Sequence, residues 1–209
     1  MRRLVALAAV VAAALAACGG PDATYLRSDR NSYLKIPNEW HLFEEEDLVE
    51  EPERGLFADA AAPTVDYAVA FDAAPDASLS HVAAPWTAAY PNGFNVVRGL
   101  NPRELDEASR QFLRNSVVDF DRLYSEGQLE YREPPEELEG PDGLIGTKLV
   151  YDVKLDASRV TLEQVSYMDP VDGVLYQLLV GCETSCYLEH ENTIKEVTKS
   201  WTVKERRGL

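Results

Sequence analysis

The chain has 209 residues, of which 36 are Asp or Glu, 20 are Lys or Arg and 3 are His, for a formal charge of −16. So acidic a surface is repelled by phosphate backbones and by anionic headgroups, which argues against nucleic-acid binding and against a polybasic grip on a membrane. The length suffices for one domain with a sizeable core, and no internal repeat divides it.

The chain opens on a leader, with Arg2 and Arg3 as its charged region, Leu4 to Leu15 as its apolar region and small residues before Cys18. It is too short for a permanent membrane helix. Leu15-Ala16-Ala17-Cys18 resembles the lipobox of bacterial lipoproteins. The resemblance implies cleavage before Cys18 and acylation of that cysteine, which becomes the first residue. Two or more acyl chains, at about 0.8 kcal/mol per buried methylene, make a stable anchor on the extracytoplasmic face of the cell membrane. The expected organisation is a signal peptide over 1–17, a lipid anchor and tether over 18–31, and a single domain over 32–209. A freely secreted protein with an accidental cysteine is the competing reading. No later run reaches the roughly 18 apolar residues of a membrane span.

Ser32 to Trp40 begins in extended style and reaches a turn at Pro37-Asn38. Residues 44–62 read as an acidic, alanine-rich connection. Glu44, Glu45, Glu46 and Asp47 form its densest run, and Glu133, Glu136, Glu137 and Glu139 form a second one. Such runs are either solvated loops or sites for Ca²⁺ or a basic partner; neither has the alternating ligands and turn glycine of a dedicated calcium loop. Thr64 to Phe71 alternates, with Val65, Tyr67, Val69 and Phe71 on one face of a strand. His81 to Pro91 reads as irregular, and Phe94 to Val97 as a further strand.

Asn101-Pro102-Arg103-Glu104 is a helix start, with Asn at the cap, Pro at the first position and Glu placed to reach back. Leu105, Ala108, Phe112, Leu113, Val117, Phe120 and Tyr124 recur at helical spacing, which predicts one long helix ending at Gly127. Gln128 to Gly143 reads as an acidic Pro/Gly loop. Lys148–Leu155, Val160–Met168 and Val174–Val180 then predict three strands of an antiparallel meander. The last is apolar on both faces and needs cover on both. A second helix from about Cys186 carries Tyr187, His190, Ile194, Val197 and Trp201 as a stripe. The expected fold class is α/β in the α+β sense: an α/β/α sandwich with a mainly antiparallel sheet.

Cys182 and Cys186 remain once Cys18 is assigned to lipid, and outside the cytoplasm they should pair. Three intervening residues make a thioredoxin-like redox motif the weaker reading and a structural clip the better one.

Ser32-Tyr33-Leu34-Lys35-Ile36-Pro37-Asn38-Glu39-Trp40 and the terminal Thr193 to Val203 segment resemble the two ends of the Mog1/PsbP-like family, in particular small exported lipoproteins of actinobacteria. By element order the resemblance covers residues 32 to 204. It implies binding and assembly roles, since such relatives include small GTPase-binding proteins and extrinsic photosystem subunits.

Catalytic patterns are absent from the sequence. Ser32-x-x-Lys35 has a nucleophile spacing that only a helix would align, and it lies in a strand. His190-Glu191 lacks the second histidine of a zinc site, Ile194 standing in its place. His41 and His81 have no recognisable Ser or Cys partner. Trp40 and Trp201 read as core, and Trp86 as the aromatic most suited to exposure. Trp86 and Glu44–Asp47 are therefore the candidate binding residues, with no cofactor expected beyond weak Ca²⁺. The leading expectation is a non-enzymatic lipoprotein that binds a protein partner or assists an envelope assembly. A small-ligand or divalent-cation binder is the alternative, and an envelope hydrolase the third.

Overall fold

The computed structural model describes residues 23–44, 47–48, 64–85, 88–155 and 158–205; the leader, Cys18, Glu45, Glu46 and Trp86 lie outside these. In chain order, β1 (Ala23–Arg27), β2 (Ser32–Pro37), β3 (His41–Phe43) and β4 (Val65–Asp72) precede helix α1 (Leu79–Ala83) and β5 (Asn92–Gly99). Helices α2 (Pro102–Asp106), α3 (Arg110–Asn115) and α4 (Phe120–Ser125) follow. Then come β6 (Leu129–Glu139), β7 (Ile145–Leu155), β8 (Ser158–Asp169) and β9 (Val174–Glu183), helix α5 (Thr184–Ser200) and β10 (Thr202–Val203).

The large sheet has the order β3-β4-β5-β9-β8-β7-β6 and is antiparallel throughout. Its centre is the meander that alternation predicts, β7 pairing with β8 and β8 with β9. On one face Val174, Tyr176, Leu178, Val180 and Cys182 of β9 pack in one cluster with Tyr187, Ile194, Val197 and Trp201. On the other, Leu175 joins Leu113 and Met168, while Leu179 joins Phe120, Leu149 and Leu162. Both faces of β9 are thus covered, which is why its sequence has no polar side. Each such buried side chain contributes roughly 1.5–3 kcal/mol. The small sheet, order β1-β2-β10, lays Leu34 and Ile36 into the cluster beneath α5. Trp40 and Trp201 are core, Trp201 donating through Nε1 to the buried Asn95 Oδ1 at 3.1 Å.

Five sequence expectations are corrected. The long helix over 101–124 is three short ones, because Ser109 and Asp119 accept from the backbone N–H groups of Phe112 and Arg122 and start new helices. Leu105 and Tyr124, assigned to the buried stripe, are exposed. Residues 128–143 are largely strand: β6 is an edge strand whose register shifts between Glu133 and Glu136, and Pro134-Pro135, which cannot donate to a ladder, sit at that irregularity. The tether expected over 18–31 contains β1, because Ala23–Arg27 finds an antiparallel partner in β2. The irregular stretch from His81 begins inside α1, which Ser78 caps by accepting from Ser80 N.

Candidate functional site

The end of β4 delivers Asp72, which is wholly buried. Its Oδ1 accepts from Ala74 N at 3.0 Å and its Oδ2 from Ser78 N at 2.9 Å, so one carboxylate holds the turn that leaves the sheet. The same Oδ2 lies 2.7 Å from His81 Nδ1 on α1. Val82 anchors α1 inward, and His81 is left part-exposed. Ala73 N donates to Pro91 O at 2.8 Å, closing the loop at its base, and Glu183 N donates to Ala88 O at 3.0 Å. That last bond docks the loop against the end of β9, where the Cys182–Cys186 disulfide, with Cα atoms 6.0 Å apart, fixes the corner into α5.

Beside these supports lies a half-open cleft of about 210 Å³ lined by Asp72, Asp76, His81, Ala88 and Tyr90, with Ala74 and Ala89 between them. The contact with Asp72 Oδ2 holds the imidazole in one orientation through Nδ1. Asp76 adds an exposed carboxylate and Tyr90 an exposed ring. The nearby hydroxyls of Ser78 and Ser80 are bonded to each other at 2.8 Å. The cleft can therefore orient a histidine and accept a donor or cation. A Ser–His contact is not among the hydrogen bonds of the described residues.

The structure does not gather the sequence candidates here. Glu44 and Asp47 form a turn of their own beyond β3, where Glu44 N donates to Asp47 Oδ2 at 2.9 Å. Burial, reinforced by the Glu44 charge, pushes the Tyr67 phenol up to about 12. Glu45, Glu46 and Trp86 lie outside the described residues, although Ala88 to Tyr90, just after Trp86, line the cleft. His41 is exposed with its ring 4.6 Å from Phe43, and His190 is half-buried on α5. Ser32 is buried and Lys35 exposed, on opposite faces of β2. Among the described residues no group of three or more His, Cys, Asp or Glu is arranged to hold a metal ion, and no helix is long and apolar enough to cross a membrane.

A second polar cluster, invisible to motif reading, lies under α5. Glu163 of β8 is fully buried and accepts from the Tyr187 hydroxyl at 2.6 Å and from the Thr198 hydroxyl at 2.8 Å, with Lys148 Nζ at 3.7 Å. Burial, then the bond to Glu163, raises the Tyr187 phenol above its ordinary range. Every oxygen of this cluster has a partner inside the fold, so it serves packing.

No protein-family model matches the chain, and no curated protein matches its sequence. Among solved structures it is similar to the solution structure of cyanobacterial PsbP (CyanoP) from Synechocystis, with a TM-score of 0.53 and 13% identity over 90% of this chain and 96% of that one. A protein of unknown function from Pseudomonas aeruginosa matches with a TM-score of 0.46 and 10% identity, over 89% of this chain and 100% of that one. One from Bacteroides thetaiotaomicron has a TM-score of 0.41 and 10% identity, over 90% of this chain and 51% of that one. The fold is PsbP-like.

Proposed function

We propose that this protein is a membrane-anchored lipoprotein of the cell envelope, acylated at Cys18 on the extracytoplasmic face, which binds a protein partner without catalysing a reaction. The observation that carries the binding role is the cleft at Asp72, Asp76, His81 and Tyr90. At about 210 Å³ it falls below the roughly 300–1,000 Å³ typical of small-molecule sites. One side chain of a partner fits such a volume. The carboxylate of Asp76 and the ring of Tyr90 favour a basic side chain, Lys or Arg, by charge and by cation–π attraction. The anchoring role rests on the leader and on Leu15-Ala16-Ala17-Cys18. The PsbP-like fold supports a binding or assembly role of the kind the resemblance implies.

Cross-linking in intact native cells, followed by recovery of the protein with its lipid, tests both parts against a Cys18→Ala control. A specific protein near one-to-one is expected, with recovery reduced at least tenfold by Asp76→Asn combined with Tyr90→Ala. Undiminished recovery by that double variant sinks the cleft. Turnover of a model ester or peptidoglycan that disappears in His81→Gln overturns the non-enzymatic reading.

A further inference from the structure

The formal charge of −16 conceals a local reversal. The three strands of the small sheet contain no Asp or Glu, although the chain has 36. Alternation along β2 turns Ser32, Leu34 and Ile36 inward and leaves Tyr33, Lys35 and Pro37 outward. The pairing sets Tyr25 of β1 opposite Lys35, and both Arg27 of β1 and Thr202 of β10 opposite Tyr33, all on the outward face. Each tyrosine carries a cation. Lys35 Nζ stands 5.1 Å from the Tyr25 ring centroid; the Arg27 guanidinium and Lys204 Nζ stand 5.5 and 4.4 Å from that of Tyr33. Tyr25 is 66% exposed.

We infer that this outward face of β1, β2 and β10 is a docking surface for a bilayer containing anionic phospholipid, which seats the anchored domain in one orientation. Tyrosines beside Lys and Arg suit the headgroup level, where a ring is half-wet and a cation meets phosphate. Chain geometry places the face there, and in this respect the inference rests on the proposed acylation. Cys18 precedes Ala23 by five residues, an extended reach of at most about 18 Å. The acidic remainder of the molecule is repelled by the same membrane, so its charge turns the basic face inward. Beyond a screening length of about 8 Å at physiological salt, that repulsion does not cancel contacts made at the face itself.

The test is amine labelling of the mature acylated protein on vesicles, read residue by residue by mass spectrometry. On phosphatidylcholine vesicles containing phosphatidylglycerol, Lys35 and Lys204 are expected to label several-fold more slowly than on phosphatidylcholine alone. High salt should remove the protection, and Lys154, which pairs with Glu130 on the β6–β7 edge of the large sheet, should label equally throughout. In a second arm, Arg27→Glu with Lys35→Glu and Lys204→Glu should weaken binding of the unacylated Cys18→Ala chain to the anionic vesicles. The expected loss is about a hundredfold, while Lys35→Arg with Lys204→Arg retains binding and shows that fold is not at issue. Equal labelling of Lys35 and Lys204 on both vesicle types overturns the docking surface. Native acylation is scored separately from the mass of the N-terminal peptide. Where it is absent, coupling Cys18 to a maleimide lipid repeats the labelling, so the anchor and the face stand or fall independently.

Discussion

Asp72 is the residue on which the loop from Ala73 to Pro91 depends. Three donors converge on one fully buried carboxylate, and a group so placed is costly to remove because its partners are left unpaired in a dry site. Asp72→Ala is expected to lower stability by about 3 kcal/mol in urea unfolding, whereas His81→Gln, at a part-exposed ring, should cost about 1 kcal/mol. Similar losses for the two would refute the carboxylate as the organising group. Glu104 offers a pH-dependent counterpart. Its partial burial raises its carboxyl, but the two bonds from the Arg98 guanidinium and the bond from Asn101 N together pull it below the ordinary 4.5. A folded-state value below the unfolded one contributes stability above the unfolded value, and that stability is lost as pH falls through the folded one. Glu104→Gln should therefore cost about 1 kcal/mol at neutral pH and nearly nothing in acid, a convergence that paired denaturation curves at the two pH values would reveal.

At the scale of elements, β5 and β9 meet so closely that Gly93 is required. A Cβ there would fall 2.0 Å from the Leu179 carbonyl oxygen, so Gly93→Ala must part the two strands and is expected to cost more than about 3 kcal/mol or leave no soluble protein. Normal expression with an unchanged melt would mean that this pairing is looser than described. The Cys182–Cys186 bond closes a very short loop, and serine at both positions should cost about 2 kcal/mol, with added mobility from Ala88 to Tyr90 because Glu183 N holds Ala88 O. Hydrogen exchange would detect it. The three short helices show how a periodic stripe misleads. Leu113 and Phe120 do pack inward from the stripe, but Ser109 starts a new helix ahead of the first and Asp119 another ahead of the second. A side-chain oxygen that satisfies its own helix start competes with continuation, and the hydrophobic spacing is blind to that competition.

For the whole molecule, the excess of acidic residues implies self-repulsion that salt relieves. The melting temperature should rise by about 3 °C between low and physiological ionic strength; a flat response would mean that the ion pairs, such as Lys195 with Glu133 and Glu191, offset the repulsion. What the sequence by itself determined is local: the β7–β8–β9 meander, the apolar strand that needs cover, the N-cap at Asn101, the disulfide pair and the sandwich architecture. Each is written in alternation, spacing or capping chemistry within a few residues, where the chain's own periodicity dictates the result. Tertiary structure alone decided the rest. His81 has no partner by any motif, and its partner Asp72 becomes adjacent only when β4 ends beside α1. The basic face gains its third cation only because β10 returns to pair with β2, bringing Lys204 over Tyr33. Contacts between residues far apart in sequence are set by how strands and helices pack, and a local pattern holds no record of them.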